Sequence, residues 1–190
     1  MTTFAGRGHV TTEIFREGAW TKSIDLPTPL AGHCLLSLNK THQFLCGGFD
    51  GSTPSNRTYV FNNNTFTKVA SMATGRSSHA CAVVDQNVFV AGGYIYRDDR
   101  YLSSVEYFSL RSLTWHGGPS LPFRTNGAVL VELKGDLYHL GGTGSDAIYS
   151  LKTSSGKALT DLAWEKVGNL KKALKYQFAA LPWEKRECHY

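Results

Sequence analysis

No stretch of this 190-residue chain approaches 18 uninterrupted apolar residues, so none reads as a helix that crosses a membrane. Its first residues, Met1-Thr-Thr-Phe-Ala-Gly-Arg-Gly-His-Val10, lack a basic region followed by an apolar run, and no secretory signal is visible there. A cytoplasmic location is the expectation, and three sequons at Asn39, Asn56 and Asn63 then read as turn residues that match by chance. Charged residues are sparse at 18% while hydrophobic residues reach 42%, which excludes a disordered tail and a charged coiled coil. The net charge of +5 favours acidic partners only mildly, and no Arg/Lys stripe suggests a nucleic-acid groove. Cysteine is scarce: Cys34, Cys46, Cys81 and Cys188 contain no CxxC pair, and describe neither a zinc site nor a disulfide-dense secreted scaffold. They read as buried thiols acting as small hydrophobes, with Cys34 and Cys46 on two segments that pair as a hairpin. Helical periodicity is nearly absent as well, since only residues 169–176 could be forced into a helix.

What is present is a repeat. An apolar run ending in a Gly-Gly pair occurs three times, at Gly47-Gly48, Gly92-Gly93 and Gly141-Gly142. A tyrosine follows each time (Tyr59, Tyr107, Tyr149), and then a larger aromatic at Phe66, Trp115 and Trp164, spaced by 49 residues. Upstream of each pair lies another apolar run beginning at His33, His79 and Gly127, joined to the next by a polar turn. Each unit therefore reads as four short strands, a to d. A unit of about 48 residues cannot bury both faces of its own sheet, and radial stacking around an axis solves that problem as a β-propeller.

The order and spacing of these markers resemble the Kelch repeat family over nearly the whole chain. WD repeats, the nearest rival, require a Trp-Asp dipeptide that the sequence lacks. The resemblance implies an all-β, Kelch-type propeller of about four blades' worth of four-stranded antiparallel sheets. Residues 1–25 supply the C-terminal part of a blade, with Phe4 to Gly8 as the tail of a strand b and Trp20 in register with Phe66. Residues 26–70, 71–119 and 120–168 are full blades. Residues 169–190 supply the first strand of a further blade or a closing strand, at 176–181. Two arrangements fit: a piece of a larger six-bladed propeller of about 290 residues, which is favoured, or a closed four-bladed ring. Self-association is expected if the propeller is incomplete.

Several motifs tempt toward chemistry. Gly142-Thr-Gly144 after an apolar strand, with Asp161 beyond, fits a dinucleotide fingerprint, but that motif needs a helix where Ala147 begins a strand. His79-Ala-Cys81 and Cys188-His189 each supply two metal ligands, which is not a site, so no metal and no cofactor are expected. No GxSxG or HExxH occurs. Kelch-type enzymes and sugar-binding propellers, such as galactose-oxidase-like oxidases and sugar epimerases, need ligands converging from several blades, and no such set is legible. The favoured function is a non-catalytic protein-interaction scaffold. In Kelch adaptors the b–c and d–a loops gather on one face and bind partner peptides. Here these are residues 49–57, 94–103 and 143–146, and 71–78, 119–126 and 168–175. The resemblance therefore points to Arg76, Ser78, Tyr94, Tyr96, Arg97, Arg100, Tyr101, Arg124 and Asn126 as the partner-binding set. Arg76 and Arg124 are paired as one repeat position, and Ser78 and Asn126 as another, although a recurring Arg equally suits bracing neighbouring blades. The expected partner is a protein or peptide with acidic residues, and neither nucleic acid nor a membrane.

Overall fold

The computed structural model describes residues 10–173, apart from residue 17. Phe4 to Gly8, the strand expected at 176–181 and the pair Cys188-His189 lie outside the described residues. Three four-stranded sheets follow one another, each an antiparallel a-b-c-d meander. Blade 1 comprises Cys34–Ser37, Gln43–Cys46, Thr58–Asn62 and Thr65–Val69; blade 2 comprises Ala80–Val84, Asn87–Ala91, Val105–Ser109 and Thr114–Gly118. Blade 3 comprises Val129–Leu133, Asp136–Leu140, Ala147–Leu151 and Glu165–Asn169. Ahead of them, the hairpin Glu13–Arg16 with Ala19–Lys22 forms the expected half-blade. The described residues contain no α-helix, only three 3₁₀ turns at Tyr96–Asp98, Thr153–Ser155 and Leu159–Asp161.

Alternation along the strands sends successive side chains to opposite sheet faces, and successive blades close over apolar cores between them. Cys34, Phe44 and Cys46 of blade 1 meet Val88, Val90 and Phe108 of blade 2 in one core. Ala80, Phe89, Ala91 and Val105 on the other side of blade 2 meet Leu130, Leu137, Leu151 and Trp164 of blade 3. A third core joins Leu26 and Leu30 to Leu45 and Tyr59 of blade 1. The large aromatics on strand d act between blades. Trp115 donates its indole N–H to the Ala70 carbonyl at 2.9 Å, and Trp164 donates to the Pro119 carbonyl at 2.8 Å, each reaching back to the preceding blade.

The Gly-Gly corners bring successive blades into backbone contact. Gly48 N–H donates to the Arg76 carbonyl and Gly93 N–H to the Thr125 carbonyl, both at 2.8 Å. At Gly92, which has φ +64°, a Cβ would stand 2.6 Å from the Thr125 carbonyl oxygen, so only glycine fits. A second inter-blade chain runs through the residues ahead of strand a. Ser78 N–H donates to the Gly32 carbonyl, and Gly127 N–H donates to the Ser78 carbonyl, at 2.7 and 2.8 Å. These bonds fix which residues are equivalent: Gly32, Ser78 and Gly127 share one position, all with positive φ.

That register corrects three expectations. Arg76 is equivalent to Thr125 and Leu30, not to Arg124, and Ser78 is equivalent to Gly127 rather than Asn126. On strand c, Cys46 pairs with Thr58, Ala91 with Val105 and Leu140 with Ile148. Tyr59 and Tyr149 are therefore matched by Glu106, and Tyr107 faces the opposite way, toward blade 3. The recurring aromatic pair is instead Phe61 with Phe66 and Phe108 with Trp115, at centroid distances of 4.9 and 5.4 Å. Trp20, in register with Phe66, is 47% exposed. It falls on the side that faces a preceding blade in the other repeats, and none of the described residues builds a blade there.

His139 occupies the strand-b position held by Leu45 and Val90. It is fully buried beside Phe123 and Trp164, and neither ring nitrogen has a hydrogen-bond partner. Burial pushes its pKa down to about 4, from an ordinary 6.5. The unfolded chain therefore binds the proton first as pH falls, so this residue takes stability away between about pH 6.5 and pH 4, by at most about 1.4 kcal/mol per pH unit. Urea denaturation across that window should show wild-type stability falling with pH, and His139→Leu should remove this residue's share of the slope while leaving stability at pH 8 equal or higher.

Candidate functional site

The b–c loop of blade 2 folds on itself. Tyr94–Ile95 pairs with Arg100–Tyr101 as a small antiparallel ladder, closed by the 3₁₀ turn and by Asp99 at φ +47°. The Tyr94 hydroxyl donates to the Asp99 carboxylate. That bond holds the phenol protonated, with its pKa pushed up to about 12. Tyr94 packs against Tyr96 at 4.7 Å and Tyr101 at 5.1 Å, and Tyr96 reaches Phe49 of the blade 1 b–c loop at 4.4 Å. Four aromatic rings thus form a platform that crosses from blade 1 to blade 2, with Tyr96 and Tyr101 about 40% exposed.

Cations fringe this platform. Arg97 and Arg100 are exposed, and Arg100 lies 3.9 Å from Asp98 in a solvated pair. Leu102 bridges to Thr125, which brings the d–a loop carrying Arg124 and Asn126 alongside Tyr101. Arg124 is exposed, while Asn126 is fixed to the blade 3 b–c loop through the Thr143 hydroxyl, which donates to its Oδ1 at 2.9 Å. Ser78 sits half-buried at the mouth of strand a, its neighbour Ser77 bridged to Tyr94. Eight of the nine expected residues therefore lie at or beside this loop face. Sequence reasoning passed over Phe49, whose role depends on the cross-blade contact, and Arg57, which lies exposed in the blade 1 loop near Asp50.

Arg76 is the exception: its side chain braces, but within blade 2 rather than between neighbouring blades. The side chain is fully buried and meets no solvent. Its Nη1 donates to the carbonyls of Gly92 and Ser104 at 2.7 and 3.0 Å, and Nη2 to a Glu106 carboxylate oxygen at 2.6 Å. The same carboxylate accepts the backbone N–H groups of Ala73 and Thr74. The pair thus staples the d–a loop of blade 2 to its own strand c, and its charges meet inside the fold rather than on the loop face. Blade 1 solves the same problem without charge: Leu30 and Tyr59 stand where blade 2 has Arg76 and Glu106, and both are buried.

The cysteines also depart from expectation. Cys34 and Cys46 are directly opposite on the blade 1 hairpin, as expected, but Cys34 is joined by a disulfide to Cys81 of blade 2. Free Cys46, Cys34 and His79 place one ligand atom each within 4.8 Å of one another, fully buried. Residues 33 apart in the chain meet here because strand a of blade 2 lies against blade 1.

Residues 75–122 match the Kelch motif family model. The chain belongs to the Kelch-repeat family. It is similar to the mouse (Mus musculus) Kelch-like protein 40, 31% identical over 140 residues that make up 73% of this chain and 21% of that protein. Kelch-like protein 35 from the same species is 36% identical over 85 residues, 45% of this chain and 14% of the relative. Beta-scruin of Limulus polyphemus is 31% identical over 102 residues, 53% of this chain and 11% of that protein. The chain thus spans about a fifth or less of the length of these relatives. Among solved structures, YjhT superposes with a TM-score of 0.72 over 88% of this chain and 61% of its own, at 15% identity, a likeness of fold.

Because blades 1 and 2 carry alternative solutions, a double-mutant cycle isolates the buried Kelch ion pair. Glu106→Tyr alone strands a buried guanidinium and Arg76→Leu alone strands a buried carboxylate, each expected to cost about 3 kcal/mol or more. The double substitution recreates the Leu30–Tyr59 arrangement and should recover most of the loss in chemical denaturation.

Proposed function

We propose that this Kelch-repeat chain is a non-catalytic binding module whose loop face holds a segment of a partner protein carrying acidic residues. The observation that supports this reading is the aromatic platform of Phe49, Tyr94, Tyr96 and Tyr101 spanning two blades, with Arg97, Arg100 and Arg124 at its edge. Aromatic rings offer large contact area at little entropy cost, and Arg forks match carboxylates, which is the composition of interface hot spots. The small ladder and the Tyr94–Asp99 bond order the loop before a partner arrives, so less freedom is lost on binding.

The test uses fluorescence anisotropy with a panel of labelled peptides that pair hydrophobic residues with Asp or Glu, each matched to a version with Lys in place of the acids. Acidic peptides should bind and their Lys versions should not, with association slowing as salt rises. Tyr96→Ala/Arg100→Ala should weaken binding about tenfold or more, equivalent to about 1.4 kcal/mol or more. Lys40→Ala/Lys134→Ala, in the a–b turns at the other end of the blades, should leave it unchanged. Loss of binding only in the Lys40/Lys134 variant would place the binding face at the opposite end.

A further inference from the structure

The interface between blades 1 and 2 differs from the one between blades 2 and 3 at four equivalent positions. At the first, strand a contributes Cys34, the end of strand b Cys46, and the next blade His79 and Cys81. At the second, those positions hold Ala80, Ala91, Ala128 and Leu130, all within or against an apolar core. The fold therefore does not need sulfur or imidazole there. All four positions change together to residues with soft or borderline donor atoms.

The geometry brings those donors to one point. Cys34 Sγ, Cys46 Sγ and a His79 ring nitrogen lie within 4.8 Å of one another, and His79 Nε2 is 3.6 Å from Cys46 Sγ. Cys81 Sγ is one bond from Cys34 Sγ in the disulfide. In a tetrahedral zinc site with Zn–S near 2.3 Å, neighbouring sulfurs stand about 3.8 Å apart, so the donors need only a modest contraction. The imidazole is held in place by the missing side chain of Gly47, where a Cβ would stand 2.4 Å from His79 Cε1. His79 Nδ1 is buried with no hydrogen-bond partner, which is an unpartnered polar atom inside the cluster.

We propose that Cys34, Cys46, Cys81 and His79 form a structural Zn²⁺ site in the reduced protein, for which the Cys34–Cys81 disulfide is the oxidised alternative. A dithiol reductant takes the disulfide to two thiols and is itself oxidised to a cyclic disulfide. Zn²⁺ then displaces three protons from the three thiols and accepts the lone pair of the neutral imidazole. With four protein ligands the site is closed, so it cross-links blades 1 and 2 and leaves no position for a substrate. Disulfide and metal exclude one another, because a sulfur shared with Cys81 no longer serves as a thiolate ligand.

The experiment uses the full chain carrying Cys188→Ser, so that only the three site thiols remain, with Co²⁺ as the spectroscopic probe for zinc. After anaerobic reduction, one Co²⁺ per chain should bind with thiolate-to-cobalt charge transfer and the intense visible bands of a tetrahedral ion, and Zn²⁺ should displace it. The disulfide-bonded form should show no such bands. Cys46→Ala and His79→Ala, which install the residues of the next interface, should each weaken uptake at least tenfold, and circular dichroism reports whether they fold. Should His79→Ala fail to fold, Cys46→Ala carries the decision alone, since Ala91 already fits that position. Reduced protein that takes up no stoichiometric Co²⁺, or a folded Cys46→Ala variant with unchanged spectrum and affinity, would overturn the proposal.

Discussion

A β-sheet of four short strands exposes two apolar faces, and the chain resolves this by pressing successive sheets face to face at a distance set by bare backbone. The decisive contact is at the Gly-Gly corner, where the N–H of Gly48 or Gly93 meets a carbonyl of the connection entering the next blade. A side chain there would hold the blades apart and open the cores between them. The chain of hydrogen bonds through Gly32, Ser78 and Gly127 repeats the same device closer to strand a, again with left-handed backbone. Packing of Phe44 on Phe108 and of Leu130 on the alanines of blade 2 follows from that spacing.

The candidate binding face inherits its order from these corners. The b–c loop of blade 2 follows a Gly-Gly pair and is held near both ends against the flanking d–a loops, Tyr94 against Ser77 and Leu102 against Thr125. The Arg76–Glu106 pair adds a second tie from the inside, holding the loop ahead of blade 2 to strand c with four hydrogen bonds from one guanidinium. Side chains above this frame are then free to serve a partner, because the backbone below them is already satisfied. Tyr96 and Arg97 belong to that upper layer, whereas Arg76 belongs to the frame.

The strands, turns and inter-blade tryptophans were legible in the sequence because they depend on local signals: apolar runs, polar turns, and glycine pairs at a steady period. Equivalence within the loops was not. The distance from the first glycine of each pair to strand c varies, as Thr58, Val105 and Ile148 follow Gly47, Gly92 and Gly141 by different lengths. Counting from aromatic to aromatic therefore placed Tyr107 with Tyr59, when Glu106 holds that position. A one-residue error in the opposite direction joined Arg76 to Arg124, when Thr125 holds that position. Glu106 inside an apolar strand was the available signal of a buried charge, and it pointed to an arginine partner. The sulfur cluster was invisible for a different reason: its members come together only through the lateral stacking of two blades, which no spacing within one repeat records.

The account rests on the claim that the Gly-Gly corners bind successive blades into one cooperative unit, and amide hydrogen exchange tests it residue by residue. The inter-blade amides of Gly48 and Gly93 should exchange as slowly as that of Val90, which lies inside the blade 2 ladder, since in one cooperative unit all three open only on global unfolding. Exchange of Gly48 and Gly93 at the rate of exposed loop residues such as Arg97, with Val90 still protected, would show blades that fold without being locked together, and would contradict the account.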